Sequence, residues 1–408
     1  MQHNAHLAES LARRSDGDAS AGASHPQAEA LRQLICAAWE RVPFYAAHWE
    51  AAAAALPLLK FPRDLASLPL VCKRDLLAFP PADLIDRSFL DTRLSPETTS
   101  GSSGQPITIQ RDSATVRRRR LRFLRALLAC GYRPGQSIML ISTRRSAGLM
   151  SIARWHYVDL ASEALFAEYQ RVRPAVLYGP LTSLLEIVSE ARRSTVRVHR
   201  PSLVISTAEQ LSAGEREALR DAFGCDVADF YGMTELGLVA IRRPAMVRYE
   251  LADESLLVEF LPSPDNSDDQ RLVVTDLSGG AMPLIRYDTG DLVKRDKPEG
   301  AIAAFMGRRI DSLVLPSGRT LSPYVVTTCL ERIAGVRQYA VIQYADLSLD
   351  ILVHTHVKGV DDVRRVTELA IGQLCREPLT VRIHLQQEPL ASVAGKFRPV
   401  RSEAVRRG

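Results

Sequence analysis

Apolar residues recur at helical spacing over residues 28–49, a stretch that runs into Arg41-Val42-Pro43-Phe44-Tyr45, and the spacing predicts a helix there. An Ala-rich segment comes next, and Pro62, Pro69, Pro80, Pro81 and Pro96 then leave little room for long regular elements. From residue 112 helix-length and strand-length apolar runs alternate. Asp112–Cys130 reads as a helix, Ser137–Ser142 as a short apolar strand and Tyr157–Leu160 as a further strand. A helix over Ser162–Val172, a strand over Ala175–Tyr178, a helix over Leu181–Arg193 and a strand over Ser202–Thr207 come next. Glu215–Phe223 is helical and Val227–Phe230 a strand. Such alternation implies βαβ crossovers and an α/β fold whose mainly parallel sheet is covered by helices. Open sheets of this kind bind ligands beyond the carboxyl ends of their strands. The loops at the strand exits are therefore where a site is expected.

The pattern changes after residue 245. Leu256–Phe260, Arg271–Thr275 and Leu284–Tyr287 are short β runs separated by Pro, Asn, Asp and Gly, which predicts a small antiparallel or barrel-like lobe. It changes again near Asp311. Ser312–Leu315 and a Ser317-Gly318 turn lead to a helix over Pro323–Ala334, strands over Arg337–Ala345 and Asp350–Val357, a helix over Asp361–Cys375 and a strand over Thr380–Gln386. This β-α-β-β-α-β order is that of a small α+β domain. The expected division is a disordered polar tail over 1–25, a large N-terminal α/β domain with a small β lobe over 26–311, and an α+β domain over 312–408.

Composition agrees with a multi-domain globular chain. With 408 residues, 46% hydrophobic and 24% charged, it is neither disordered nor fibrous as a whole. The longest apolar run, Ala51–Leu59, is about half of a membrane-spanning helix, so no membrane span is expected. Six cysteines lie far apart without a CxxC pair, which argues for reduced thiols, a cytoplasmic setting and no zinc site. Only six of the 52 basic residues are Lys. Lys396, inside Gly395-Lys396-Phe397-Arg398, draws attention for that reason. Arg117–Arg120 is the densest basic run. A nucleic-acid patch is one reading. The solvated face of a helix whose apolar side is Val116, Leu121, Phe123, Leu124, Leu127 and Leu128 is favoured, because no aromatic residues interleave the run and no nucleic-acid motif accompanies it.

The most unusual octapeptide is Thr99-Ser100-Gly101-Ser102-Ser103-Gly104-Gln105-Pro106. Glycines let backbone N–H groups turn inward and hydroxyls add donors, so the segment suits a phosphate, although Ser/Gly clusters are more often linkers. The Gly-Lys-Ser/Thr ending of a Walker loop is absent. Three further segments stand out: Tyr231-Gly232-Met233-Thr234-Glu235 directly after a strand, Arg286-Tyr287-Asp288-Thr289-Gly290-Asp291 with a Gly turn between acids, and Gly307-Arg308-Arg309-Ile310-Asp311 at the domain boundary. Each alone reads equally well as a turn with solvated charges.

In this order and with this spacing, ending at Gly395–Arg398, they resemble the adenylate-forming superfamily of acyl-CoA synthetases, nonribosomal adenylation domains and luciferases. Within it the likeness is to the phenylacetate–CoA ligase branch and its capsule-associated CapK-like members, whose N-terminal landmarks Arg41–Tyr45 and Leu68–Leu76 resemble. The resemblance runs from about residue 30 to residue 402. It implies that Ser100, Gly101, Ser102, Ser103 and Gly104 hold the β- and γ-phosphates of ATP, and that Ser206–Glu209, with Ala208 and Glu209, lines the adenine pocket. Tyr231 and Gly232 would lie against the adenine, Thr234 would bond the α-phosphate and Glu235 would ligate Mg²⁺. Asp291 and Arg308 would hold the ribose, Asp311 would be the hinge of a mobile C-terminal domain, and Lys396 would reach the carboxylate and α-phosphate during adenylation. These roles suit the residue types: hard cations take oxygen ligands, and a charged transition state takes positioned cations.

The implied chemistry is activation of an aryl or small organic acid to an acyl adenylate, then thioester formation with CoA or a carrier-protein phosphopantetheine. An amino-acid adenylating enzyme acting in trans, for which no ammonium-binding Asp is evident, and a non-catalytic nucleotide-binding homologue are the rivals. Two departures from the family pattern bear on detail. The phosphate loop ends Gly-Gln-Pro-Ile where many members carry a nearby Lys, and the segment between Arg144 and Pro174 is short, so phenylacetate is not implied as the substrate. An acyl carrier protein is a possible partner, and monomer and homodimer both stay open.

Overall fold

In a computed structural model of the protein, the described residues are 25–50, 60–99, 106–142, 154–159, 162, 164–194, 196–263, 269–296, 301–336, 338–355, 360–386 and 399–404. The helix expected over 28–49 is two helices, α1 (His25–Arg41) and α2 (Pro43–His48). The break falls at Val42, which is extended at φ −111° and ψ 107°. A residue before proline is held out of the helical region by the pyrrolidine ring, and Pro43 then starts α2 without needing its N–H. A short helix α3 (Lys73–Leu77) lies in the proline-punctuated stretch. An antiparallel hairpin of β1 (Ser95–Thr98) and β2 (Thr108–Arg111) flanks the hydroxyl-rich segment, and the Thr99 N–H donates to the Ile107 carbonyl. Helix α4 (Ser113–Ala129) comes next, its N-terminus capped by Asp112, which accepts from the Thr115 N–H.

The central sheet has seven strands: β3 (Ile138–Ser142), β4 (Trp155–Asp159), β5 (Val176–Pro180), β6 (Leu203–Thr207), β7 (Val227–Met233), β8 (Gly237–Arg242) and β9 (Glu250–Leu251). Their order is β4-β3-β5-β6-β7-β8-β9. Strands β3 to β7 are parallel, as the alternation predicts, and β8 and β9 add an antiparallel edge. Helices α5 (Leu165–Val172), α6 (Leu181–Arg193) and α7 (Ala213–Phe223) are the crossovers. Alternate residues of β3 serve opposite faces. Met139 and Ile141 join a core with Leu184, Ile187, Leu219 and Phe223, whereas Ile138 and Leu140 join Ala126 and Leu127 of α4.

The β lobe is an antiparallel meander of β10 (Leu256–Pro262), β11 (Gln270–Asp276), β12 (Tyr287–Arg295) and β13 (Ile302–Arg308). Its core is shared with α1 and α2 through Leu31, Ile35, Trp39, Tyr45 and Trp49. The expected strand Leu284–Tyr287 is not one. Its carbonyl and amide neighbours are taken by a side chain instead: Tyr45 donates its hydroxyl to the Pro283 carbonyl and accepts from the Ile285 N–H. The strand starts at Tyr287 and runs through Gly290 and Asp291, so that motif is a strand and not a terminal turn.

Beyond Asp311 come a two-strand hairpin of β14 (Leu313–Val314) and β15 (Thr320–Leu321), helix α8 (Pro323–Glu331), β16 (Gln338–Gln343), β17 (Leu349–His354), helix α9 (Val360–Cys375), β18 (Val381–Gln386) and β19 (Val400–Ser402). Leu313 to Val400 contribute one buried cluster, separate from the three upstream. The sheet order is β18-β17-β16-β19. The expected first strand, Ser312–Leu315, therefore stands outside this sheet, and its fourth member is β19, four residues after Lys396. No helix of the described residues is long and apolar enough to cross a membrane.

Candidate active site

Strand β7 does not stop at Phe230. It continues through Tyr231 and Gly232 to Met233, and the chain reverses at Thr234-Glu235-Leu236 into β8. Only glycine fits at 232, since a Cβ there would lie 2.7 Å from the Gly237 carbonyl oxygen. The exits of β6 and β7 open on a cavity of about 650 Å³, within the usual range for a small-ligand site. Ala208, Glu209, Tyr231, Gly232, Glu235, Asp291, Arg308 and Asp311 line it from one half of the molecule. Tyr324, Thr327, Glu331, Tyr339, Pro399 and Val400 line it from the other. The cavity thus gathers the sequence-predicted residues Ala208, Glu209, Tyr231, Gly232, Glu235, Asp291, Arg308 and Asp311, whereas Thr234 is not among those lining it.

Each residue of the Asp-Thr-Gly-Asp run has a partner. Asp288 accepts from Arg271 at 2.5 Å and from the Gly290 N–H at 3.1 Å. Thr289 donates to the Leu272 carbonyl and accepts from the Asp291 N–H. Gly290 has φ +76°, a conformation that side chains with a Cβ rarely adopt. The result aims Asp291 at the cavity, opposite Arg308 in the β12–β13 register and 3.8 Å from its Nε. Tyr231 donates its hydroxyl to Asp291 Oδ2 at 2.5 Å. Burial first, and the charge of Asp291 second, hold the Tyr231 phenol well above its usual pKa, so it remains a donor. One face of Tyr231 stacks on Phe305 at 3.8 Å between ring centroids. Phe305 carries no sequence signal that marks it as part of the site.

Glu209 serves the loop after β6 and not the open cavity alone. Its carboxylate accepts the Thr182 N–H at 2.7 Å and the Thr182 hydroxyl at 2.9 Å, closing the first turn of α6. Ala208 beside it has φ +66°, a strained conformation for a non-glycine residue. Glu235 Oε1 accepts from the Tyr287 hydroxyl at 3.3 Å. Lys73, at the start of α3, also stands near Glu235 and Arg308, and burial lowers its pKa while Glu235 acts against that.

The basic run on α4 is divided: Arg117 and Arg118 are exposed, as the solvated-face reading expects, whereas Arg119 and Arg120 are half-buried. Leu121 and Leu128, expected inside, are 47% and 44% exposed, whereas Arg122 is 2% exposed. Arg119 donates to the carbonyls of Thr234 and Glu235, and Arg122 to that of Leu236 at 3.2 Å. Backbone carbonyls of the turn replace water for these guanidinium groups, a partner that helical periodicity does not reveal. Ser100, Gly101, Ser102, Ser103, Gly104 and Lys396 lie outside the described residues. Among the described residues no three His, Cys, Asp or Glu side chains form a metal-binding group, and all six cysteines are free thiols.

No protein-family model matches the chain. A phenylacetate–coenzyme A ligase of Pseudomonas putida is 24% identical over 413 aligned residues, covering 88% of this chain and 89% of that one. One of Aromatoleum evansii is 24% identical over 319 residues, 71% of each. Among solved structures, a 2-hydroxyisobutyryl-CoA ligase in the postadenylation state, in complex with 2-HIB-AMP, matches with a TM-score of 0.73 at 18% identity, over 93% of this chain and 89% of that one. The same ligase in the thioesterification state matches with a TM-score of 0.56 at 17% identity, over 99% and 90%. The chain thus shares the fold of these acyl-CoA ligases and is similar over most of its length to phenylacetate–coenzyme A ligases.

Proposed function

We propose that the protein is an acid–thiol ligase that activates an aryl or small organic acid with ATP and passes the acyl group to coenzyme A. A phosphopantetheine on a carrier protein presents the same thiol and is the alternative acceptor. In the first half-reaction an oxygen of the substrate carboxylate attacks the α-phosphorus of ATP, the bond to pyrophosphate breaks, and an acyl adenylate forms. In the second the thiol attacks the acyl carbon and AMP leaves. No protein nucleophile is needed, because positioning and electrostatics carry both steps.

The observation that carries this reading is the constellation Tyr231–Asp291–Arg308 at the rim of a cavity closed by the second half of the molecule. Asp291 is oriented to accept from ribose hydroxyls, with Arg308 beside it. Tyr231, backed by Phe305 and continuous with the Ala208–Glu209 loop, forms the adenine wall. Thr234 faces the α-phosphate, and the hydroxyls and glycines of Ser100–Gly104 take the β- and γ-phosphates. Glu235, a carboxylate at the cavity beside the turn after β7, suits Mg²⁺, a hard cation that would complete its shell with phosphate oxygens and water. When bound, the ion offsets phosphate charge as pyrophosphate departs.

Asp311, a residue 7% exposed, comes after β13 and before the C-terminal core, which supports its reading as the hinge between two domains. Lys396 is the cation that the C-terminal domain brings to the reacting carboxylate. That Pro399 and Val400 line the cavity supports this role. The test is Glu235→Gln, which keeps shape and removes charge. Acid-dependent ATP–pyrophosphate exchange should fall by about 10²-fold at limiting Mg²⁺. An unchanged rate there would remove Glu235 from the site.

A further inference from the structure

The Thr234–Glu235 turn and the β1–β2 hairpin are remote in sequence, and the Arg111 side chain joins them. Arg111 ends β2 and is 3% exposed. Its Nε donates to Glu97 Oε2 on β1 at 2.7 Å, and its Nη2 donates to the carbonyls of Thr234 and, at 3.3 Å, Glu235. Arg119 repeats the arrangement from α4. It donates to the same two carbonyls and lies 3.7 Å from Glu97. Its approach uses the missing side chain of Gly237, where a Cβ would stand 3.3 Å from the guanidinium. Behind Glu235 a cavity of about 10 Å³, room for one water, is lined by Arg111, Arg119, Glu235 and Asp276 among others.

Two buried guanidinium groups side by side are costly, and burial together with the Arg111 charge pushes Arg119 below its usual pKa. Apolar residues would fill the same volume at less cost if stability were the only demand. The planar fork explains the choice of residue: one edge reaches Glu97 while the other reaches the turn, which a lysine ammonium, a single point, does not span.

We propose that Arg111, paired with Glu97, is a positioning residue that fixes the Thr234–Glu235 turn against the β1–β2 hairpin, so that Glu235 meets the metal-bound triphosphate of ATP in one set orientation. This rests on the proposed ligase function. Glu235 is presented through its own backbone: the carbonyls of residues 234 and 235 are held, and the carboxylate projects from that held frame. AMP, which lacks the outer phosphates, is read by Tyr231 and Asp291 and does not depend on it.

The test measures binding to the full chain by calorimetry, using AMP and a non-hydrolysable ATP analogue, each with and without Mg²⁺. Arg111→Lys keeps the charge and loses the fork. It should leave AMP affinity within about twofold, and it should lower Mg²⁺-dependent analogue affinity by about tenfold, the usual scale for a residue that orients a metal ligand. Glu97→Gln, which leaves an acceptor in place, should show the same selectivity in milder form. Combining Arg111→Lys with Glu235→Gln should cost no more than Glu235→Gln alone, since both act on one interaction. Equal loss of AMP and analogue binding with a lowered melting temperature would make Arg111 merely structural and overturn the proposal. So would unchanged binding of both ligands. A wild-type chain that binds neither nucleotide would instead bring down the ligase function, and the proposal with it.

Discussion

Asp291 accepts a phenolic hydroxyl, faces a guanidinium and is aimed by a glycine at φ +76°. Asp291→Ala should weaken AMP binding by about 1.5–3 kcal/mol, the range for a hydrogen bond to a charged group, and calorimetry reads it directly. Unchanged AMP affinity would remove Asp291 from the nucleotide site. Gly232 makes a different demand. Gly232→Ala places a methyl group 2.7 Å from a backbone oxygen that has little room to move, so β7 and β8 must separate. The expected loss is about 1–3 kcal/mol in a denaturant titration, the scale for overpacking. At this scale the site is legible in the sequence where residue type and motif coincide, as at Tyr231, Glu235, Asp291 and Arg308. Phe305 and Arg119 are not, because a stacked ring and a buried cation look in sequence like an ordinary strand residue and an ordinary surface arginine.

Helix α4 shows why periodicity misleads when polar groups are buried. Its buried residues are Thr115, Arg122, Ala126 and Leu127, with Phe123 and Leu124 packed against the same core, so Arg122 takes an inward place while Leu121 and Leu128 of the expected apolar side are exposed. The parallel strands β3, β5, β6 and β7 are legible, since buried parallel strands are nearly continuous apolar runs. Strand β8 is hidden because its residues come directly after a Gly-containing motif that resembles a loop. Helix α7 carries a pH prediction. Its Ser212 cap is completed by Glu215, whose carboxyl burial pushes up to about 7, with nearby Glu331 of α8 and Glu209 adding to the rise. A carboxyl with a raised folded-state pKa binds more protons folded than unfolded, so stability falls as pH rises between the ordinary value of 4.5 and about 7. Glu215→Gln keeps a capping acceptor without the charge. Its melting temperature should exceed that of the wild type at pH 8 and nearly match it at pH 4. An equal gain at both would mean that charge is not the cause.

For the whole molecule, the change of pattern near Asp311 coincides with the start of a separate buried cluster, but the role of β19 is not legible in the sequence. Three residues carry too little periodicity to announce a strand, and only the parallel register with β16 identifies it. A two-conformation cycle makes a separable prediction for Lys396. Lys396→Ala should lose on the order of 10²–10³-fold in acyl-adenylate formation, yet form thioester from a synthetic acyl adenylate at a near wild-type rate. Equal loss in both assays would argue against the cycle.

The most direct measurement of the central claim is ATP–pyrophosphate exchange by the wild-type chain across a panel of aryl, fatty and small organic acids. The account predicts exchange that depends on the acid and is selective within the panel, with thioester forming once coenzyme A or a phosphopantetheine carrier is added. Nucleotide binding without exchange for any acid would contradict it and leave the protein a nucleotide-binding module.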